Sequence, residues 1–309
     1  MRVHVLVVLL GLAACGKPTD TATPSASASA PPASAYPAAS AAPAAHGGTR
    51  CGDLDCTQFD RIEDAFQLVL DDKPRVVAVG EAHAQKDAAV ASSAKRFTTE
   101  ILPLLKGRAS DLLVELMQPP TGCQKQTEDV RTKQKVVTEK QAVTDQNEYV
   151  TMGAEAKKLG IVPDLLRPTC VDMAAVSDAG ADAIPMSLAL IKRLTSDTVK
   201  KLLERDAKNP ADADKLVVTY GGALHNDLAP KPELAAWAFG PELSAYTQGK
   251  YAEVDLYVPE FIDDTDKWRK LEWYAAYQAL VSKNRVTVFR PRPGGFVILF
   301  AHSLPSPSP

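Results

Sequence analysis

The sequence of 309 residues lacks the short motifs that mark several common enzyme classes. It contains no Gly-x-Ser-x-Gly segment, so the nucleophile elbow of the serine hydrolases is absent. It contains no Gly-x-Gly-x-x-Gly segment and no phosphate-binding loop, which argues against the common nucleotide-binding folds. No Cys-x-x-Cys pair is present, so the usual spacing of a structural zinc site is missing as well.

An excess of positive charge is also absent. Lysine and arginine number 35 against 38 acidic residues, which gives a formal net charge of −3. Without a basic field or a basic patch with interleaved aromatic residues, we expect no nucleic-acid partner. No apolar run after the first 15 residues is long enough to cross a bilayer.

The first residues have the pattern of an export signal. Arg2 precedes an apolar run at residues 3–12, and Leu12-Ala13-Ala14-Cys15 resembles a bacterial lipobox. That resemblance implies cleavage before Cys15, lipid attachment to its thiol and, because Gly16 follows, the outer membrane. The alternative is an ordinary signal peptide cut after an Ala-x-Ala-like site. We therefore predict a signal peptide at residues 1–14 and an exported lipoprotein of the cell envelope, whose membrane partner is reached through Cys15.

Residues 15–48 hold the predicted lipidated cysteine and a segment rich in Ala, Pro, Ser and Thr. Such a composition cannot bury enough apolar surface to fold, so we predict a disordered tether. His46 lies within it and is expected to have no partner. Residues 49–309 are long enough for a single α/β domain.

Four cysteines remain beyond the lipobox, and they are expected in an oxidising compartment. An even number suggests two disulfides, for which three pairings are possible. We favour Cys51 with Cys56, which closes a local loop, and Cys123 with Cys170, which joins two loops that follow strands.

Apolar runs alternate with amphipathic segments along the rest of the chain. Strands are predicted at residues 75–79, 111–117, 161–166, 216–220, 252–258, 286–290 and 295–301. Helices are predicted at residues 59–70, 86–106, 185–205 and 264–281, with one or two more within 128–158. This order predicts an α/β fold with a mainly parallel central sheet flanked by helices and a β-rich C-terminal portion.

Two of the predicted strands end in the same motif. Gly80-Glu81-Ala82-His83 follows residues 75–79, and Gly222-Ala223-Leu224-His225 follows residues 216–220. With 17 glycines and 5 histidines, chance gives roughly 0.3 such pairs, so two of them directly after strands are unexpected. Glycine lets the backbone turn at a strand end. Because ligands bind at the carboxyl edge of such sheets, we expect the two histidines to meet there.

Glu115 lies inside the apolar run 111–117, where a carboxylate must be paired, protonated or bound to a metal. The candidate catalytic residues are therefore Glu81, His83, Glu115 and His225. Two imidazoles and a carboxylate, from His83, Glu115 and His225, also suit a divalent ion such as Mn, Fe, Co or Zn. The alternative is that each histidine caps its strand and that Glu115 pairs with a nearby arginine. Secondary candidates, for which a loop-capping role is equally plausible, are Asp172, Asn226, Asp227 and Glu260.

The paired Gly-x-x-His motifs, with a strand glutamate between them, resemble the clan of Tiki-type metalloproteases, TraB/PrgY-like proteins, erythromycin-esterase-like hydrolases and ChaN-type lipoproteins. The Tiki branch implies metal-dependent peptide hydrolysis, and the esterase branch implies a histidine that activates water. The resemblance thus predicts a hydrolase, peptidase-like or esterase-like, acting on a small molecule or peptide. The alternatives are a ChaN-like haem-binding lipoprotein or a noncatalytic scaffold. ChaN-type proteins hold haem through a tyrosine, and Tyr149, Tyr220 and Tyr257 cannot be aligned with it.

Overall fold

The computed structural model describes residues 45–84, 90–139, 141–142 and 145–303. The predicted signal peptide, the lipidation site at Cys15 and the tether up to residue 44 lie outside the described residues. Within the described residues no helix has both the length and the apolar character needed to cross a membrane.

The strands of the described chain form one mixed, mostly parallel sheet. In chain order they are β1 (Thr49–Gly52), β2 (Cys56–Phe59), β3 (Val76–Glu81), β4 (Ala109–Met117), β5 (Val162–Leu166), β6 (Leu216–Gly222), β7 (Tyr251–Tyr257), β8 (Val286–Arg292) and β9 (Gly295–Leu299). Their order across the sheet is β1-β2-β8-β9-β7-β3-β6-β4-β5. Strands β9, β7, β3, β6, β4 and β5 are parallel to their neighbours in that series, and β8, β2 and β1 are added antiparallel. The predicted α/β class and its β-rich C-terminal portion are confirmed.

Helices cover both faces of this sheet. They are α1 (Ile62–Asp71), α2 (Ser93–Arg96), α3 (Gln124–Thr138), α4 (Asp145–Lys158), α5 (Cys170–Asp178), α6 (Ala183–Asp206), α7 (Gly240–Tyr246), α8 (Asp266–Arg269) and α9 (Tyr274–Gln278). Along β3, Val77 and Val79 join the core under α1 and α4, whereas Val76 and Ala78 join the core under α6. Successive side chains of a strand point to opposite faces, so a strand covered on both sides is apolar throughout.

Several predicted elements differ from the structure. The segment predicted as a helix at residues 264–281 is instead two short helices, α8 and α9, whose aromatic side chains pack with Tyr257 in a separate core. The predicted helix 86–106 lies partly outside the described residues. Its remainder is α2 followed by a π-helical turn, Phe97–Ile101, and a 3₁₀ turn, Leu102–Leu105. Pro103 lacks a backbone N–H and so cannot continue an α-helix.

Four other helices and strands were not predicted: β1, β2, α5 and α7. β1 and β2 pair as a short hairpin at the sheet edge, and α5 begins inside the predicted loop after β5. The sequence signal for α5 is a capping box: the Thr169 side chain accepts from the backbone N–H of Asp172, and the Asp172 carboxylate accepts from that of Thr169.

The disulfide prediction is right for one pair and wrong for the other. Cys51 and Cys56 are bonded across the β1–β2 hairpin. Cys123 and Cys170 are thiols, held side by side where α3 packs against α5. Burial raises the pKa of the Cys123 thiol to about 11, and its contact with Cys170 acts in the same direction. The pair is therefore close but reduced.

Candidate active site

The two Gly-x-x-His motifs lie side by side because β3 and β6 are neighbouring parallel strands. Their register pairs Gly80 with Gly221 and Glu81 with Gly222. Neither glycine has a positive φ. Gly222 ends β6 and begins a turn in which the backbone N–H of His225 donates to its carbonyl oxygen at 3.0 Å, as expected. Gly80 lies within β3, so the turn expected there is wrong; it provides space instead, because a Cβ on Gly80 would lie 2.6 Å from Cα of Ala223.

Glu81 and His83 form a buried pair. Nδ1 of His83 lies 2.9 Å from Oε1 of Glu81, and the two residues are 3% and 4% exposed, respectively. Two tyrosine hydroxyls hold the same carboxylate: Tyr149 donates to Oε1 at 2.8 Å and Tyr220 donates to Oε2 at 2.5 Å. Glu81 thus fixes the orientation of the His83 ring, and the tyrosines fix Glu81.

Glu115 enters the site from β4, on the other side of β6. The backbone N–H of Gly222 donates to its Oε2 at 2.8 Å. Burial raises the pKa of Glu115 to about 8, the Gly222 hydrogen bond opposes that shift, and the charge of Glu81 adds to it. The Glu115 carboxyl is therefore protonated in most molecules at neutral pH.

His225 is held by the loop that follows it. Its Nδ1 lies 2.8 Å from the carbonyl oxygen of Trp237, which assigns the ring proton to Nδ1 and leaves Nε2 as an acceptor. Burial lowers the pKa of His225 to about 4; the Trp237 carbonyl opposes that shift, and His83 reinforces it. His225 is therefore a neutral imidazole at neutral pH. Its Nε2 faces Oε1 of Glu115 at 3.9 Å.

The structure brings these four side chains to one place. A Cβ built on Gly222 would lie 3.3 Å from Nε2 of His83 and 3.9 Å from Oε2 of Glu115, so these two atoms are no further apart than the sum of those distances. With His225 against the other oxygen of Glu115, both imidazoles flank one carboxyl group. This cluster at the carboxyl edge of β3, β4 and β6 is called the His–Glu site below.

A small cavity of about 10 Å³ adjoins the His–Glu site. Its lining residues include Glu115, Gly222, His225 and Asn226, together with Thr195 and Phe239. This volume is close to what one water molecule needs.

The predicted metal ligands approach one another without forming a complete ligand set. In the described part of the chain, no group of three or more His, Cys, Asp or Glu side chains is arranged to hold a metal ion. Oε1 of Glu115 and Nε2 of His225 are buried and make no hydrogen bond within that part of the chain. These two atoms are the ones that suit a cation or a bound water.

The secondary candidates are divided by the structure. Asn226 adjoins the His–Glu site and donates to Asp255 at 2.9 Å, and Asp227 lies 3.8 Å from Arg292. Asp172 caps α5, and Glu260 accepts from the backbone N–H of Ser303. His46 was expected to have no partner, yet its Nε2 lies 2.5 Å from Oδ2 of Asp71.

Sequence reasoning missed the part that Tyr149 and Tyr220 take in the site. Both were considered only as haem ligands, but their hydroxyls are directed at Glu81. Tyr220 stands two residues before Gly222 on β6, so strand position was the available signal. Tyr149 is on α4, and no local pattern points to it.

The chain was compared with known proteins by family, by sequence and by structure. No family model matches it, and neither the curated proteins nor the solved structures gave a match.

Proposed function

We propose that the protein is a hydrolase of ester or peptide bonds, in which His83 activates a water molecule. The observation that carries the proposal is the chain of hydrogen bonds from Tyr149 and Tyr220 through Glu81 to Nδ1 of His83. A carboxylate that fixes one nitrogen of an imidazole orients the ring for proton transfer through the other nitrogen. An inert strand cap has no need of such a chain.

The roles of Glu115 and His225 follow from their protonation. In the proposed reaction Nε2 of His83 takes a proton from water as the water oxygen attacks the substrate carbonyl carbon. The protonated carboxyl of Glu115 donates a hydrogen bond to the oxygen on which negative charge develops, as a neutral buried carboxylic acid can. His83 then returns its proton to the leaving oxygen or nitrogen, which completes hydrolysis. Neutral His225 accepts a hydrogen bond from water or substrate through Nε2.

The resemblance of the two Gly-x-x-His motifs to the Tiki and erythromycin-esterase-like clan supports this reaction class. The lipobox-like segment that ends at Cys15 supports a location on the cell envelope, where the substrate would be a peptide or small molecule of that compartment. Both inferences come from sequence motifs, and each has its own test.

A divalent metal is a second candidate, favoured by one observation. Oε1 of Glu115 and Nε2 of His225 face each other at 3.9 Å, both buried and without hydrogen bonds in the described chain. His83, whose ring is oriented by a carboxylate in the manner common to metal ligands, would be the third ligand of such a metal. Such an ion would acidify a bound water and polarise a carbonyl.

The test is hydrolysis of a model ester and a model peptide, with and without a chelator. His83→Ala and His225→Ala should each reduce activity by at least about a hundredfold, the usual scale for an acid/base group. His302→Ala is the control, because the His302 ring contacts Tyr277 and Glu260 rather than a residue of the His–Glu site. Since the two histidines act as a unit, the double variant should lose little more than either single variant.

Each alternative predicts a different result. Loss of activity with the chelator, together with a stoichiometric metal, would assign the metal mechanism. A Soret absorption band in the purified protein would assign the haem-binding alternative. Unchanged hydrolysis in His83→Ala and in His225→Ala would contradict the proposal and leave a noncatalytic scaffold.

A further inference from the structure

A basic residue directly precedes each of four neighbouring parallel strands. These residues are Arg75 before β3, Arg108 before β4, Lys215 before β6 and Lys250 before β7. In the sheet the four strands are adjacent, in the order β7-β3-β6-β4. Because parallel strands begin at the same edge, the four cations gather at the amino edge of the sheet, opposite the His–Glu site.

These residues line a cleft of about 580 Å³, which lies within the range of about 300–1,000 Å³ usual for small-molecule sites. Lys73 also lines it, so the charged lining consists of five cations and one carboxylate, from Asp214. Apolar side chains provide the remaining wall: Leu70, Pro74, Pro210, Ala211 and Leu216. We call this feature the amino-edge cleft.

Most of the positive charge in the amino-edge cleft is not neutralised by the protein. Lys215 pairs with Asp212 at 2.7 Å, and Arg108 donates to the side-chain oxygen of Gln67 at 3.4 Å. Among the described residues, no carboxylate lies within 4.0 Å of the charged groups of Lys73, Arg75 or Lys250. Nε of Arg75 is buried and lacks a hydrogen-bond partner there. A buried donor of this kind is costly unless water or a ligand accepts from it.

We propose that the amino-edge cleft binds a phosphate-bearing ligand. Guanidinium groups bind phosphate oxygens in pairs, and lysines add compact charge, so Arg75, Arg108 and the three lysines suit a group of two or more negative charges. The apolar wall would contact the uncharged part of the same ligand. The cleft and the His–Glu site lie at opposite ends of the strands, so this proposal is independent of the hydrolase proposal.

The position of the cleft allows two sources for this phosphate. His46, near the start of the described chain, pairs with Asp71, two residues before Lys73. The segment predicted to lead to the membrane therefore joins the domain at the rim of the cleft. A phospholipid headgroup and a soluble phosphate compound carry the same group, and the experiment separates them.

The test uses the chain from residue 15 onward with Cys15→Ser, which keeps every described residue. Inorganic pyrophosphate is titrated by calorimetry at low salt, and flotation measures binding to phosphatidylglycerol vesicles and to phosphatidylcholine vesicles. Arg75→Gln with Lys250→Gln should weaken binding at least about tenfold, since each removes a charge-assisted contact. Lys125→Gln with Lys135→Gln, exposed on α3, is the matched control and should bind as the parent does.

The outcomes are distinct. Binding to phosphatidylglycerol vesicles, lost in the cleft variant, would assign a lipid headgroup. Binding of pyrophosphate without vesicle binding would assign a soluble phosphate compound. No binding to either, or equal weakening by the control pair, would overturn the proposal. If thermal unfolding shows the cleft variant to be misfolded, Lys73→Gln with Lys250→Gln, both exposed, replaces it.

Discussion

Oε1 of Glu115 lies 3.9 Å from Nε2 of His225, with both groups buried and no hydrogen bond between them. This separation is too long for a direct hydrogen bond. The adjoining cavity of about 10 Å³ touches both residues and is close to the size that one water needs. Burial keeps the proton on Glu115 and keeps His225 neutral near pH 7. A small polar molecule between them can therefore accept a hydrogen bond from Glu115 and donate one to His225.

The raised pKa of Glu115 predicts that stability falls as pH rises from 6.5 to 8. In this window the folded protein holds a proton that the unfolded chain, with a pKa of 4.5, has released. Unfolding therefore releases this proton, and Glu115 alone lowers the free energy of unfolding by up to about 1.4 kcal/mol per pH unit. Below pH 6.5 the trend is opposed by His225, because its folded pKa of about 4 makes unfolding take up a proton.

Glu115→Gln should reduce the slope of the free energy of unfolding against pH, which urea unfolding at several pH values measures. Some slope should remain, because the pKa values of Glu253 and Asp255 are also raised by burial, to about 8 and about 7. Glu233→Gln, at an exposed position, should leave the slope as it is in the parent. An unchanged slope in Glu115→Gln would contradict the protonated buried carboxyl.

The two tyrosines should matter for positioning rather than for folding alone. Tyr149→Phe and Tyr220→Phe each remove one hydroxyl from Glu81 while keeping the ring. We expect each to lower the free energy of unfolding by about 1–2 kcal/mol and kcat by about tenfold, with little change in KM. Tyr246→Phe, which loses an exposed contact with Glu204, is the control. Unchanged kcat in both Tyr149→Phe and Tyr220→Phe would show that the hydrogen bonds from these tyrosines are not needed to position Glu81.

Gly221 is the glycine that Glu115 requires. A Cβ at this position would lie 2.1 Å from Oε2 of Glu115, so Gly221→Ala must displace that carboxyl. We expect a loss of about 1–3 kcal/mol in the free energy of unfolding, the usual scale for overpacking, together with loss of hydrolysis. Gly153→Ala, on α4, is the matched control. Its Cβ would lie 3.4 Å from Pro163, an ordinary contact, so the substitution should be neutral or slightly stabilising. Equal behaviour of the two variants would contradict the close approach.

The cysteine states predict a definite thiol count. In unreduced, denatured protein, Cys123 and Cys170 should react with an alkylating agent, whereas Cys51 and Cys56 should not. Peptide mapping after alkylation identifies the labelled residues. Protection of all four would mean that Cys123 and Cys170 are oxidised in the cell envelope, as the sequence alone suggests.

The lipobox-like segment that ends at Cys15 predicts that attachment to the membrane depends on the sulfur atom of Cys15. Cys15→Ser should abolish labelling with a radioactive fatty acid and release the processed chain from the membrane fraction. Cys170→Ser is the control: it removes the sulfur atom of a partly buried cysteine in the folded domain, and it should be labelled as the parent is. Labelling that persists in Cys15→Ser would exclude lipidation at this residue.

Local patterns were sufficient for the parallel core. The apolar runs that became β3, β4 and β6 are strands because helices cover both faces of the sheet, and such burial leaves a continuous apolar sequence. The aromatic segment after Asp264 misled for the opposite reason. Its rings have the spacing of a helix. Trp268 on α8 and Trp273 directly before α9 instead pack around Tyr257 on β7.

The sequence by itself determined that His83 and His225 each follow a buried strand and a glycine. Only the tertiary structure decided that β3 and β6 are adjacent and that β4 brings Glu115 against Gly222. The same holds for Tyr149 and for the cations of the amino-edge cleft, which are far apart in sequence and gather only when four strands align. Strand pairing and helix packing bring together residues that are distant along the chain. No local pattern encodes such contacts, so a single sequence identifies the functional groups but not which of them lie close together.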